Sequence, residues 1–172
     1  MIIVTGASRG LGRSVAERLI SSGREVLSLS RTSEGVPGDS VTCDVSDYEA
    51  VKAVAQSLRK EKREIEGLVN AAGIASMNLA VTTPPSMTQK LIQTNLAGTI
   101  HCCQLFAPLM IRKKAGSIIN FSTIAVTLGL KGESIYAASK AGVEGFSRAF
   151  AREMADFDIR VNCVAPGPIK TD

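Results

Sequence analysis

Tyr136 and Lys140 stand four positions apart in SIYAASKAG, a run rich in alanine and other small residues that reads as helix. At about 3.6 residues per turn, positions i and i+4 share a helix face, so phenol and ammonium are neighbours. A phenol with a reference pKa of about 10 is a poor acid–base catalyst near neutrality, but a lysine ammonium and a second cation nearby stabilise phenolate. Taken alone, the pair reads more simply as a solvated lysine beside a half-buried tyrosine, a common arrangement on helices. The rest of the chain decides between the two.

A second group of residues suited to chemistry lies near the start. TGASRGLG, residues 5 to 12, puts Gly6, Gly10 and Gly12 between an apolar β-branched run, MIIVTG, and a helical pattern that carries Leu11, Val15, Leu19 and Ile20. Glycines at a strand-to-helix turn let backbone approach a pyrophosphate closely, and the helix N-terminus offers unpaired N–H groups and partial positive charge. The spacing is GxxxGxG and not the GxGxxG fingerprint, so the glycines alone also fit a plain tight turn; their setting between strand and helix favours a nucleotide. The next strand ends in SLSRT, where Ser30 and Arg31 replace the acid that usually receives ribose hydroxyls in NAD-binding chains. A guanidinium at Arg31 grips a 2'-phosphate bidentately, and Arg9 adds a second cation or stacks on adenine, which favours NADPH over NADH. A solvated strand-end charge is the competing reading of Arg31.

These residues need a frame, and the pattern supplies an α/β one. REVLSLSR, SVTCDV, IEGLVNAAG, SIINFST and IRVNCVAPGP read as further strands; YEAVKAVAQSLRKEK and ESIYAASKAGVEGFSRAFAREMADF read as helices. SMTQKLIQTNLAGTIHCCQLFAPLMIRKKAG reads as one long or two abutting helices. Alternation of this kind implies a doubly wound parallel sheet with helices on both faces, a three-layer α/β/α Rossmann fold. TSEGVPGDS is too rich in glycine and proline for a full helix, so a loop or single turn is expected there. The 172 residues are expected to form a single domain with a core that needs no disulfide or metal.

Composition narrows the function classes. With 45% hydrophobic and 21% charged residues the chain has a globular balance, and its apolar runs are shorter than the about 20 residues a membrane span needs. No basic segment followed by an apolar signal core opens the chain, which points to the cytosol. Cys43, Cys102, Cys103 and Cys163 lack CxxC spacing and a neighbouring histidine pair, so no metal site is expected and the thiols are expected to be reduced and mostly buried. The net charge of +4 is scattered apart from RKK at 112 to 114 and RKEKR at 59 to 63, without aromatic platforms or a reading helix, so nucleic acid is not an expected partner.

TGASRGLG, CDVSD, NAAG, a lone Asn95, YAASK and VAPGPIKTD follow one another in an order that resembles the short-chain dehydrogenase/reductase family, most closely its 3-oxoacyl-[acyl-carrier-protein] reductase branch. The resemblance spans nearly the whole chain. It implies an NADPH-dependent reductase of a ketone, a 3-oxoacyl thioester, in which Tyr136 protonates the carbonyl oxygen as hydride arrives and Lys140 holds nicotinamide ribose hydroxyls. It also implies that Asn95 holds a water linking Lys140 to solvent and that Asp44 contacts adenine, with Val45 beside it. Asn70, Ala71, Ala72 and Gly73 form the turn at the cofactor. Gly6, Ser8, Arg9, Gly10, Leu11, Gly12 and Arg31 line the phosphate end, and Pro166, Gly167, Ile169 and Thr171 close the far side. A homodimer or homotetramer is the implied assembly, with the small-residue helix face as one packing surface.

The chain departs from that pattern at three points. Thr123 occupies the place, 13 residues before Tyr136, where the family usually has serine; it keeps the hydroxyl that orients a carbonyl, while Ser122 should face the other way. For an acidic carrier protein, Lys113 and Lys114 are the basic residues expected at the rim, but ADFD at the end of the tyrosine helix opposes docking, so a free carbonyl compound, sugar-derived or polyketide-like, is the second substrate class. Finally, PGPIKTD stands where the family continues into a lid and a last strand, so both are expected to be missing, with weak cofactor binding and poor turnover as the consequence. A non-catalytic nucleotide sensor and a structural subunit are the rival classes; retention of Tyr136, Lys140 and Asn95 argues against both.

Overall fold

The computed structural model describes residues 1–169, and Thr171 therefore lies outside the described residues. Six parallel strands form one sheet in the order β3-β2-β1-β4-β5-β6: β1 Ile2–Thr5, β2 Val26–Ser30, β3 Asp39–Thr42, β4 Gly67–Asn70, β5 Gly116–Phe121 and β6 Ile159–Val164. The order reverses at β1, whose neighbours are β2 on one side and β4 on the other, and such a switch point opens a crevice at the carboxyl ends of the strands.

Burial on both faces explains why the central strands read as continuous apolar runs and not as alternating ones. Within β1, Ile3 packs into the larger core with Leu29, Leu68, Phe106 and Ile118, whereas Ile2 and Val4 pack with Ala16, Val26 and Val69 on the other face. The helices are α1 Gly10–Ser21, α2 Tyr48–Lys60, α3 Pro85–Leu91, α4 Gly98–Ile111, α5 Ala125–Leu128 and α6 Ser134–Ala155. Helix α2 starts at Asp47, whose carboxylate accepts from the amides of Glu49 and Ala50 and satisfies two otherwise unpaired donors. Residues 31–38 hold no helix, in agreement with their glycine and proline content.

The segment expected as one or two helices is α3 and α4 joined without interruption by a π-helical turn, Ile92–Ala97. Helix α5 was not foreseen. Cys43, Cys102 and Cys103 are buried, as expected, while Cys163 on the outer strand β6 is exposed. Burial pushes the Cys43 thiol up to about 11, with Asp44 and Asp47 adding to the rise, so it stays protonated and unreactive near neutrality.

One expectation about charge fails on topology. Helices α4 and α6 run antiparallel to the strands that follow them, so Lys113 and Lys114 lie just before β5 begins, and Asp156 and Asp158 just before β6 begins. Both groups therefore sit at the end of the sheet opposite the carboxyl-end crevice, where Lys113 pairs with Glu64, and neither belongs to a rim that a carrier would meet.

Candidate active site

Every strand contributes its carboxyl end to a cleft of about 490 Å³. At its floor, Gly6 follows β1 with φ +69°, a left-handed conformation that side chains with a Cβ rarely adopt. A Cβ on Gly6 would stand 2.7 Å from Ala72 Cα, and one on Gly12 would stand 2.4 Å from the Gly6 carbonyl oxygen. The bare backbone lets the first turn of α1 close onto β1 and β4. Arg9 caps α1 in an extended conformation and, like Arg31 after β2, is exposed at the cleft.

Beyond β3, Asp44 and Val45 line the cleft. Burial opposes the Asp44 carboxylate, but hydrogen bonds from the Ser46 hydroxyl (2.7 Å) and amide (2.9 Å) outweigh it, helped by the charges of Arg31 and Lys90, so its pKa lies below the ordinary value. Ala71, Ala72 and Gly73 follow β4 along the cleft wall, and Pro166, Gly167 and Ile169 face them from beyond β6.

Asn70 is a correction to the expected turn. It ends β4 with its side chain directed into the buried layer between the sheet and its helices, where Nδ2 donates to Asn120 Oδ1 at 2.8 Å across the β4–β5 pair and lies 3.4 Å from Cys103 Sγ. It does not reach the cleft, because successive strand residues point to opposite faces.

Tyr136, Lys140 and Thr123 meet at the other end of the cleft. Burial raises the Tyr136 phenol above its ordinary pKa, and the nearby Thr123 hydroxyl offsets part of that rise by favouring phenolate. Lys140 is 5% exposed, and its Nζ donates to the Phe121 carbonyl at 2.8 Å. Burial brings its pKa down to about 8, against a smaller opposing effect of Cys163. In this arrangement desolvation is the largest influence on both groups, and the ammonium donates to a carbonyl. Ser122 lines the cleft too, but its hydroxyl donates to Glu144 Oε1 at 2.7 Å, away from Tyr136, which leaves Thr123 as the hydroxyl of the pair.

Asn95 is fully buried in the π-helical turn. Its Oδ1 accepts from Ile74 N at 2.8 Å, and its Nδ2 donates to Ile74 O and Ser139 Oγ. It stands behind the cleft wall and does not line it. A Cβ on Gly73 would lie 3.3 Å from Asn95 Oδ1 and 3.4 Å from Lys140 Nζ, so the two side chains flank that glycine from either side. Ile74, Ala75, Thr94 and Cys43 also line the cleft and were missed, since nothing in their types marks them. Among the described residues no group of His, Cys, Asp and Glu is placed to hold a metal, and no helix is long and apolar enough to cross a membrane.

The switch-point cleft over a glycine turn defines a Rossmann-type α/β protein. The profile of the family described as short chain dehydrogenase matches residues 1–172. The 3-oxoacyl-[acyl-carrier-protein] reductase FabG of Salmonella typhimurium is 36% identical over 179 aligned positions, which cover 99% of this chain and 73% of that protein. A 3-oxoacyl-[acyl-carrier-protein] reductase of Bos taurus is 39% identical over 178 positions, 98% of this chain and 75% of its own length. Among solved structures, the ligand-free aldohexose dehydrogenase of Thermoplasma acidophilum superposes with a TM-score of 0.94 at 36% identity, covering 99% of this chain and 67% of that one. ElxO with NADP bound gives 0.93 at 30% identity, covering 99% and 74%. The chain belongs to the short-chain dehydrogenase family of oxidoreductases.

Proposed function

We propose that the protein is an NADPH-dependent reductase of a ketone, with a 3-oxoacyl thioester as its substrate. The observation that carries the reading is one cleft with a glycine turn and two arginines at one end and Thr123, Tyr136 and Lys140 at the other. The residues fit a nicotinamide dinucleotide: Gly6 and Gly12 leave backbone bare where a Cβ would collide, and the first turn of α1 presents its amides to a diphosphate. Arg9 and Arg31 supply the charge for a 2'-phosphate. The NADP in ElxO, which shares the fold at 30% identity, supports the same choice.

When bound, the dinucleotide supplies the hydride. In this reading the Tyr136 phenol donates its proton to the substrate carbonyl oxygen, and a phenol raised by burial is protonated and ready to do so at neutral pH. The Thr123 hydroxyl, beside the phenol, orients the same oxygen. Lys140 holds ribose hydroxyls, and Asn95 stiffens the wall at Ile74 through which a proton path from Lys140 would run.

The names of the Salmonella and bovine relatives support the thioester. So does the mouth. Met77, Leu79 and Val81 between β4 and α3, and Leu128 and Leu130 at and just after the end of α5, are exposed, and the two segments are tied by Asn78 N donating to Gly132 O at 2.9 Å, four residues before Tyr136. An apolar rim suits an acyl chain. The likeness to an aldohexose dehydrogenase favours a second reading, a free sugar-like carbonyl compound or alcohol. A homodimer or homotetramer belongs to the same proposal, supported by exposed Ala141, Gly145 and Ala149 at four-residue spacing on α6.

The test is Tyr136→Phe, assayed with NADPH against 3-oxoacyl thioesters and aldohexoses. Loss of about 10²-fold or more in turnover with NADPH affinity kept is expected. Full turnover by the variant, or activity on sugars alone, overturns the reading.

A further inference from the structure

Two consecutive residues at the end of β5 each hold one residue of α6, and the next stands beside a third. The Phe121 carbonyl accepts from Lys140 Nζ at 2.8 Å, the Ser122 hydroxyl donates to Glu144 Oε1 at 2.7 Å, and the Thr123 hydroxyl lies near the Tyr136 phenol. Tyr136, Lys140 and Glu144 lie at i, i+4 and i+8, which is one face of a helix. A strand end is thus fastened to that face at two successive turns, and one of the fastenings involves a group assigned to the chemistry.

The fastening at Ser122 has a definite direction. Ser122 is 4% exposed, and its single proton goes to the Glu144 carboxylate; the other acceptor in reach, the Lys140 carbonyl, is 3.5 Å away. A hydrogen bond to a charged acceptor is about twice as strong as a neutral one, so the carboxylate holds it. Glu144 is itself held on its outer side: its Oε2 lies 3.7 Å from Arg148 on the next turn, and its side chain is 25% exposed. The Cys163 thiol of β6 lies close enough to feel the Glu144 charge. Glu144 does not itself line the cleft and reaches it only through Ser122.

We propose that Glu144 is a positioning residue for the Tyr136–Lys140 pair. By holding Ser122 it fixes the peptide on either side, the Phe121 carbonyl that aims the Lys140 ammonium and the Thr123 hydroxyl that aims the phenol. The inference rests on the reading of Tyr136 and Lys140 as the reactive pair. Displacement of such groups by about 1 Å costs on the order of 10²-fold in rate, so a lost anchor reads out in turnover and not in binding.

The experiment compares Glu144→Ala, Glu144→Gln, Ser122→Ala, the Ser122→Ala/Glu144→Ala double variant and Tyr136→Phe in full-chain protein. It measures kcat, ketone KM, NADPH Kd and Tm. Glu144→Ala is expected to lose about 10-fold or more in kcat while KM and Kd stay within about 2-fold, since only the alignment of the reacting groups changes. Glu144→Gln keeps kcat within about 3-fold, because its amide oxygen still accepts from Ser122. The double variant falls no further than the single ones, as two ends of one hydrogen bond must. Wild-type kcat in Glu144→Ala, equal loss in Glu144→Gln, or a double variant that loses the product of the single effects overturns the proposal. If Glu144→Ala does not fold, Ser122→Ala and Glu144→Gln decide it by the same criteria. Full turnover by Tyr136→Phe is the separate outcome that removes the reading beneath it.

Discussion

Lys140 Nζ donates to the backbone carbonyl of Phe121 at 2.8 Å from a site where the lysine is 5% exposed, and among the described residues no carboxylate bonds it. An ammonium buried against a neutral acceptor is an electrostatic cost to the fold, and burial brings its pKa down to about 8. In the unfolded chain the same lysine keeps its proton to about 10.4. Between those values the unfolded state binds more protons, so this group makes stability rise with pH across the window from about 8 to about 10.4, by about 3 kcal/mol at most. Chemical denaturation at pH 7 and pH 10 measures it: wild type should gain relative to Lys140→Met, and equal pH dependence of the two would show that the ammonium is not desolvated.

Arg31 and Arg9 are exposed at one end of the cleft, and both should bear on the choice between cofactors. Charge-assisted hydrogen bonds contribute about 1.5–3 kcal/mol, so Arg31→Gln should weaken NADPH by about 10- to 100-fold and leave NADH within about 2-fold. Titration followed by reduced-nicotinamide fluorescence gives both constants. Equal weakening of the two cofactors would place Arg31 on a part they share.

How much of this was legible before the structure depended on what kind of cause acts at each residue. The strands were legible because Ile2, Ile3 and Val4 are buried on both faces, which turns them into an apolar run that any window detects. Tyr136 and Lys140 share a helix face through an i, i+4 spacing visible in the sequence, whereas Ser122 and Thr123 lie past the end of β5 and both line the cleft, so it is the Ser122–Glu144 bond and not strand alternation that sets them apart. The π-helical turn at Asn95 was not legible, since an added residue per turn is imposed by packing against Ile74 and Ser139 and leaves no compositional mark. Asn70 was misplaced for a related reason. Its type suggests a turn, yet its partner is Asn120, 50 residues on, and only the pairing of β4 with β5 brings them together. Lys113 and Asp156 were read as rim charges because sequence gives adjacency along a helix without saying which end of the sheet that helix end meets.

Gly12 supplies a stability test of the close approach under the cleft. A Cβ there would stand 2.4 Å from the Gly6 carbonyl oxygen and 3.1 Å from that of Thr5, and neither is the end of a flexible side chain. Gly12→Ala should therefore lose about 2 kcal/mol or more, although alanine is otherwise the better helix former, and NADPH affinity should fall with it. Thermal unfolding and cofactor titration read the two effects. Gly145, where a Cβ meets nothing within 4 Å in the single chain, is the comparison: Gly145→Ala should stabilise the monomer by up to about 1 kcal/mol.

The apolar mouth makes a graded prediction about substrate length. Met77 is 77% exposed and Leu130 43%, on segments joined at Gly132, four residues before Tyr136 in the chain, and in the proposed reading an acyl chain leaving the cleft covers them. Burial contributes about 0.8 kcal/mol per methylene, so kcat/KM for 3-oxoacyl thioesters should climb by up to about 4-fold per added CH₂ until the rim is covered. Met77→Asp and Leu130→Asp should flatten that slope without changing kcat/KM for the shortest ketone, because a carboxylate at the rim meets the chain and not the carbonyl. A slope that survives in both variants would put the acyl chain elsewhere, and no slope in wild type would favour a compact polar substrate such as a sugar.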